Sequence, residues 1–539
     1  MKVANQRLFL LAFLCLVLIG AIVVIAHDAS GDASHMSSFG TAARISVIAV
    51  LLAVGGGAIW LASGARAANA QTKVSPPVSV KPIDEVSSGA ASRPVASLQV
   101  RGVGITVDEL SQTEIWEHII AKGETHASIY SNVASDYPTS QSTRSSNSRM
   151  RIGLALKCGA GEAVDYTPLP VFVFGPSKHP ENAFGAAFSI NVARQAGSLP
   201  FHLFMTQQAV NNTDVSIEDV FAFFDANPEV PAALIFSTDG MTVRKLLDKP
   251  GSGLLPNVSI VPDVFDSNVA LLVTRPERVD RLRPFAVNEP TSVDTRETQY
   301  DLVKLWNFYW DETEAYDKHY EAEEQTRGIA NPAAPHTMSV AWWRSRLPSL
   351  WQQTENKGPG QFRPDVWAPV RWTDWQFKEF DESPVLGYIE RPVRVRLISD
   401  HGASLREQEQ AAALKEGWSK LVGTHASGAK PSRVFFDTTG NKEWVIPLTQ
   451  ALGAEPDTPS TGNVKEGYDI GYRLGNTGVS SSLVQLSLSL MAGYEDGKAS
   501  AIVSRNSQGY AELALVTPPT GAEKKHNTVS RGENPFNYR

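Results

Sequence analysis

What the 539-residue chain lacks narrows its chemistry before any motif is weighed. It has two cysteines, Cys15 and Cys158, and Cys15 lies inside an apolar run. No disulfide framework can form between them, and the scarcity fits a reducing compartment. No G-x-S-x-G elbow is present to seat a hydrolase serine. No phosphate-binding G-x-x-x-x-G-K-[ST] loop occurs. The nearest stretch, GYEDGKAS (493–500), has the wrong spacing and Ala499 where a hydroxyl is needed. RGVGITV and GAGEAV lack the third glycine of a dinucleotide loop, and neither H-E-x-x-H nor a paired C-x-x-C is found. There is no basic excess either. With 49 basic against 57 acidic residues the net charge is -8, which removes a global electrostatic footprint for nucleic acid. At 42% hydrophobic and 20% charged, the chain can still bury sizeable cores.

What is present begins at the N-terminus. LFLLAFLCLVLIGAIVVIA (8–26) and ISVIAVLLAVGGGAIWLASGA (45–65) are uncharged, and a helix of about 20 apolar residues crosses the hydrocarbon core. A short polar loop joins them, so the segment reads as a transmembrane helical hairpin. Lys2 and Arg7 precede the first span, Arg66 and Lys73 follow the second, and the loop carries Asp28 and Asp32 against Arg44. The positive-inside rule puts both ends in the cytoplasm: a two-pass inner-membrane protein with its large C-terminal part cytoplasmic. Two alternatives send that part outside instead. The first run is then a cleaved signal peptide, or the chain is cut after the A-x-A-like Ala68-Asn69-Ala70.

Beyond the hairpin (1–65), residues 66–95 form an Ala/Ser/Pro-rich linker. Residues 96–297 then alternate short apolar strands (97–108, 170–175, 201–206, 232–237, 270–276) with amphipathic helices (111–122, 183–197, 216–227, 241–248). Ser216 is placed to cap the third of these helices. Residues 132–149 are Ser/Thr-rich and read as a loop. A helical, Trp-rich segment spans 298–390. A second alternation fills 391–517, with a hairpin at 499–505 and 511–517, and 518–539 reads as a loose polar tail. The expected fold class is therefore α/β: two α/β units with mainly parallel sheets behind the transmembrane hairpin.

Two strand-end clusters and one aromatic segment are the candidates for function. ISDHGAS (398–404) sets Asp400 and His401 past a strand, and FFDTTGN (435–441) sets Asp437 and Thr438 past another. Ligands of open α/β sheets bind beyond strand carboxyl ends. The four residues SDHG resemble a metal-binding stretch of alkaline-phosphatase-like enzymes, and Asp400, His401 and Asp437 are the ligands such a membrane-anchored metal-dependent phosphatase or hydrolase would use. SDHG also makes a good turn into a helix. The aromatic segment holds eight of the twelve tryptophans, between 306 and 375. Trp342, Trp343, Trp351, Trp367, Trp372 and Trp375 are interleaved with Arg344, Arg346, Arg363 and Arg371. The rings serve either as cement between the two units or as a partner-binding patch, since Trp and Arg dominate interface hot spots. Trp342 and Trp343 lie about 100° apart on a helix and cannot face the same way. The acidic end of the helix predicted at 298–325 reads as a solvated face or as a docking strip.

SLQVRGVGITVDELSQTEIWEHI (97–119), LPVFVFGPS (169–177), the stretch from Tyr468 to Arg505, and LVTPPTGAEKKHNTVSRGENPF (515–536) together resemble the type VI secretion lipase adapters. The resemblance implies an N-terminal and a C-terminal domain behind a membrane-anchored start. It implies a bacterial, non-enzymatic protein without a cofactor, whose partners are a lipase effector, bound in the cytoplasm, and the secretion spike onto which that effector is loaded. The lipase chemistry would then belong to the cargo, which accounts for the missing serine elbow.

Overall fold

The computed structural model describes residues 94–537 except 177–183, 208–213, 247–256, 290–298, 425–429 and 456. Both apolar N-terminal runs lie outside the described residues. Among the described residues no helix is long and apolar enough to cross a membrane. The described residues form twelve strands: β1 (Ser97–Val107), β2 (Leu110–Ser111), β3 (Pro168–Phe174), β4 (Leu203–Thr206), β5 (Ala232–Asp239), β6 (Ser267–Thr274), β7 (Gly387–Glu390), β8 (Val393–Arg396), β9 (Arg433–Phe436), β10 (Gly467–Asp469), β11 (Ser500–Arg505) and β12 (Tyr510–Thr517). The first helices are α1 (Thr113–Ala121), α2 (Gln141–Ala160), α3 (Phe184–Gly197), α4 (Ile217–Ala226), α5 (Met241–Leu246) and α6 (Pro276–Leu282). Then come α7 (Asp301–Thr326), α8 (Val340–Trp351) and α9 (Asp374–Glu382) in the Trp-rich segment. The C-terminal stretch adds α10 (Glu407–Thr424), α11 (Val445–Gly453), α12 (Ile470–Arg473), α13 (Ser481–Asp496) and α14 (Gly521–Arg531).

The strands join in one sheet, ordered β10-β9-β11-β12-β7-β1-β6-β5-β3-β4, with β2 beside β1 and β8 beside β12. This corrects the expectation of two units with mainly parallel sheets. β1 pairs antiparallel with β6 on one side and with β7 on the other, so strands from both alternating stretches share a single ladder system. Parallel pairing is confined to β3 with β4 and β5, and to β9 with β10 and β11. Residues 90–539 accordingly form one compact unit.

The sequence of β1 explains its central place. Leu98 and Val100, then Val103, Ile105 and Val107, all enter the same apolar cluster. Their parity switches between 100 and 103, where the register with β6 shifts at a bulge. Without that extra residue the second half of the strand would turn its apolar side chains to the wrong face. The opposite face carries Gly102 and Gly104 under α2. A Cβ on Gly104 would sit 1.8 Å from the Ala155 carbonyl oxygen, and one on Gly102 2.0 Å from that of Gly159. These glycines serve helix–strand contact at backbone distance. The start of α2 overrides the loop expected at 132–149. Ser140 caps it, accepting from the Thr143 amide, and Arg144, Ser148 and Ile152 fall on its buried side.

Two further layers complete the body. α2 and α3 cover one face of the N-terminal strands through Ile152, Leu156, Ile190 and Ala193, while α10 and α11 cover the C-terminal strands through Leu414, Trp418 and Leu448. On the other face α13 is buried from Leu483 to Gly493, apolar nearly all round as an internal helix must be. Its Ser487 and Ser489 hydroxyls donate to the carbonyls of Leu483 and Leu486, so their burial leaves no orphan. Glu512 of β12 caps α4 across the molecule, accepting from the Ile217 amide at 2.9 Å and the Ser216 hydroxyl at 2.8 Å, with Arg394 beside it. The C-terminal stretch is not loose: Thr520 and Glu523 form a capping box for α14, Asn527 is buried against Val385, and Phe536 joins the main core. α8 continues through Pro348, because Pro348 and Arg344 both lie on its exposed side, where water meets the carbonyl that proline cannot bond.

Two outcomes follow from these contacts. Gly104→Ala forces α2 off the sheet and lowers stability in urea denaturation by about 1–3 kcal/mol, whereas Gly423→Ala, in α10 with open space around it, is neutral or slightly stabilising. α9 docks on the 161–167 turn through Gln376, which donates to the Asp165 carbonyl at 2.8 Å, and Glu379, which accepts from the Asp165 amide at 3.2 Å. Burial, and then the Asp165 charge, push the Glu379 carboxyl up to about 8 from 4.5. The fold therefore favours the protonated acid. Its contribution is fully present below pH 4.5 and is lost as pH rises through about 8. Glu379→Gln, permanently neutral, should melt above the parent at about pH 9 and equal it at about pH 4 in thermal scans.

Candidate partner-binding surface

The tryptophans divide by burial. Trp343 and Trp367 are 0% exposed and Trp372 is 6% exposed. Trp343 donates to the Val366 carbonyl at 3.0 Å and packs on Phe308 and Tyr309. Trp367 meets Phe223 edge-on, and its amide is held by Asp365 at 2.9 Å. Trp372 sits with Phe377 and Phe380 in a cluster that includes Val164, Val279 and Leu282. Trp367 and Trp372 fasten the connecting segment to α4 and α6 of the N-terminal half, Trp343 ties α8 to α7, and a docking partner cannot reach the three buried rings in this fold. Arg371 does similar work with polar atoms. Buried, it donates to the carbonyls of Asn356, Phe285, Pro359 and Gly360, which pins the irregular loop before α9. Guanidinium geometry suits such a fan of acceptors.

Trp342, Trp351 and Trp375 are half-buried. Trp375 meets Tyr166 edge-on, and Trp351 packs against the main core. Trp342 belongs to a more organised group. Its indole nitrogen donates to Glu312 at 3.1 Å, and the same Glu312 oxygen accepts from Arg346 at 2.9 Å. The Arg346 guanidinium lies 5.4 Å from the Trp342 ring centroid, His319 stacks on that ring at 5.2 Å, and Tyr316 meets it edge-on at 5.5 Å. Arg346 and His319 are exposed, and Tyr316 and Trp342 half-buried. Thus α7 and α8 present a fixed aromatic and cationic surface, its rotamers set by Glu312. Sequence reasoning missed Tyr316, His319 and Glu312. The available signal was their spacing of three and four residues, which places them on one face of a helix.

The acidic end of α7 is largely neutralised where it stands. Glu314 pairs with Lys318, Glu323 with His319, Glu324 with Arg327, and Asp317 with His336. The hydrogen bond to Asp317 raises the pKa of His336, strengthening that pair. Burial, and then Glu314 and Glu312, raise the Asp311 carboxyl. The Glu314–Lys318 and Glu323–His319 pairs are exposed on both sides and worth little for stability, whereas Glu324 and Asp317 are largely covered.

The strand-end residues do not gather as a metal site. Asp400 is exposed and pairs with Arg396 at 2.7 Å, and His401 is exposed in a tight turn closed by Ser399 and Ala403, with Gly402 at φ 77. Asp437 accepts from the Thr439 amide at 2.7 Å and from the Ser481 hydroxyl. Among the described residues no three His, Cys, Asp or Glu side chains are grouped to hold a metal ion. SDHG is therefore a turn, and Asp437 organises the entry to α13. His202 is buried and bonded to the Ala160 carbonyl at 2.9 Å, and Cys158 is buried.

Among solved structures, a ketosynthase from module 6 of the bacillaene synthase of Bacillus subtilis 168 is similar at 8% identity and TM-score 0.40, over 79% of this chain and 70% of that one. A type II polyketide ketosynthase in complex with its acyl-carrier protein is similar at 11% identity and TM-score 0.37, over 79% of this chain and 100% of that one. Neither likeness is close enough to bear on what this chain does. The sequence families are informative. Residues 96–258 match the family described as type VI lipase adapter protein Tla3, N-terminal, and residues 386–518 match its C-terminal counterpart. The first match covers β1 through β5 and the second covers β7 through β12, the two halves that β1 and β7 join. With both halves matched over more than half of its length, the chain belongs to the family of type VI lipase adapter proteins, Tla3.

Proposed function

We propose that the protein is a non-enzymatic adapter that binds a lipase effector in the cytoplasm and delivers it to a type VI secretion spike. In this reading residues 8–26 and 45–65 anchor it in the inner membrane, and the body from residue 90 onward faces the cytoplasm. Membership of a lipase adapter family supports the cargo class. The balance of Lys and Arg around the apolar runs supports the orientation.

The observation that carries the contact assignment is the Trp342 surface. Trp, Tyr and Arg are the side chains that dominate interface energies when they are held rigid and flanked by neighbours that exclude water. Trp342, Tyr316 and Arg346 meet that description, because Glu312 fixes two of them before any partner arrives. Preorganisation lowers the ordering cost of binding. Trp351 and Trp375 are further half-buried rings open to cargo, whereas the buried Trp343 packs on Phe308 and Tyr309 of α7 behind the surface.

The test is capture of a lipase effector by the full chain, followed by titration of the pair. The parent should retain the lipase, and Trp342→Ala should weaken it about 30-fold, the equivalent of a hot spot of ~2 kcal/mol, with unchanged melting behaviour. Arg346→Glu should weaken it too. Failure of the parent to retain any lipase overturns the adapter reading. Retention that Trp342→Ala leaves unchanged overturns the contact assignment.

A further inference from the structure

A cavity of about 250 Å³ lies where β9 ends and α13 begins. At about 30 Å³ per water it has room for roughly eight waters. That is below the roughly 300 Å³ at which drug-sized sites begin and suits a single sugar ring or a shorter polyol. Its polar walls include Asp214, Asp437, Asn441, Ser482, Gln485 and Arg505.

The turn at 478–480 that leads into α13 is not an anion cradle. The Val479 amide donates to Asp239, the Ser480 amide to the Thr477 carbonyl, and the Ser481 amide to the Gly478 carbonyl. What the walls offer is a mixture. Gln485 is 1% exposed, its Nε2 reaches Ser481 Oγ at 3.4 Å, and its Oε1 has no protein donor among the described residues. A buried acceptor without a partner is costly, and here it lines a cavity. Asp437 uses one lone pair on each oxygen, toward Thr439 and Ser481, and keeps others. Asp214 holds Ser507 through its hydroxyl and its amide. On the donor side, the Arg505 guanidinium lies 4.6 Å above the Trp444 ring and pairs with no carboxylate among the described residues. Asn441 is exposed at the rim.

A simple anion placed here would face two carboxylates, and a simple cation would face Arg505. A hydroxyl both donates and accepts, and a run of adjacent hydroxyls meets interleaved donors and acceptors without a net charge mismatch. We propose that this cavity binds a small neutral polyol of monosaccharide size, with Gln485 Oε1 and Asp437 accepting from its hydroxyls and Arg505 and Asn441 donating to them. This site is independent of the cargo surface on α7 and α8.

The test is saturation-transfer NMR on the full chain with D-glucose and D-sorbitol as probes, and with inorganic phosphate and butylamine as charged competitors. Transfer to at least one of the two polyols is expected, reduced severalfold in Gln485→Leu and in Asn441→Ala. Asn441 is exposed, so its variant keeps the parent melting temperature and guards against a folding defect in Gln485→Leu. No transfer to either polyol, transfer of equal strength in both variants, or displacement by phosphate or butylamine would overturn the assignment.

Discussion

The rest of the structure depends on one strand being paired on both sides. β1 holds β6 along most of its length and β7 at its start, so the ladder passes from the N-terminal to the C-terminal strands without a break. Two constraints make this possible. The bulge between Val100 and Gly102 keeps one apolar face along the strand, and the bare faces of Gly102 and Gly104 let α2 lie on the backbone. On the other side the buried helix α13 packs beneath strands of both halves, in one core with Leu98, Ile389, Ile502 and Val516. A continuous sheet with a shared core resists relative motion better than two units on a tether.

The tryptophan-rich segment follows from that arrangement. It connects the halves in sequence, but β1 and β7 already connect them in space. It is therefore free to fold back on the N-terminal half, where Trp343, Trp367 and Trp372 bury large ring areas. The same segment then displays Trp342 on its outer side. The angular step of a helix separates the two neighbours, sending Trp343 inward and leaving Trp342 half-buried beside Arg346. The buried cementing ring and the ring proposed to meet cargo are thus adjacent residues of one helix.

Local elements were legible in the sequence where periodicity was clean. The Ser216 cap, the strand expected at 232–237 and observed to run to Asp239, and the hairpin of β11 and β12 all follow from patterns within a few residues. The joining of the sheet was not legible, because the pairing of Gln99 with Tyr388 depends on two segments far apart in the chain. No helix was expected over 141–160: the start of α2 was hidden by serines and threonines, whose local preferences favour loops until a sheet is present to pack against. α14 looked like a tail because its polar face dominates the composition, while a few contacts, Asn527 and Phe536 above all, hold it in place. At the candidate surface the tryptophans themselves were readable, but their exposure was not. Burial of a ring is decided by what packs against it, and Glu312, Tyr316 and His319 reach Trp342 from another helix. The chemistry of SDHG failed for a similar reason: four adjacent residues cannot supply the remaining ligands that a metal site needs.

Both halves of the folded body form one cooperative unit through β1, β7 and α13. Native-state hydrogen exchange with rising denaturant tests it directly, by comparing amides of β6 in the N-terminal half with amides of β11 in the C-terminal half. The account predicts that the two sets merge on one opening free energy with one denaturant slope. Two isotherms that stay apart, each with its own slope, would contradict it.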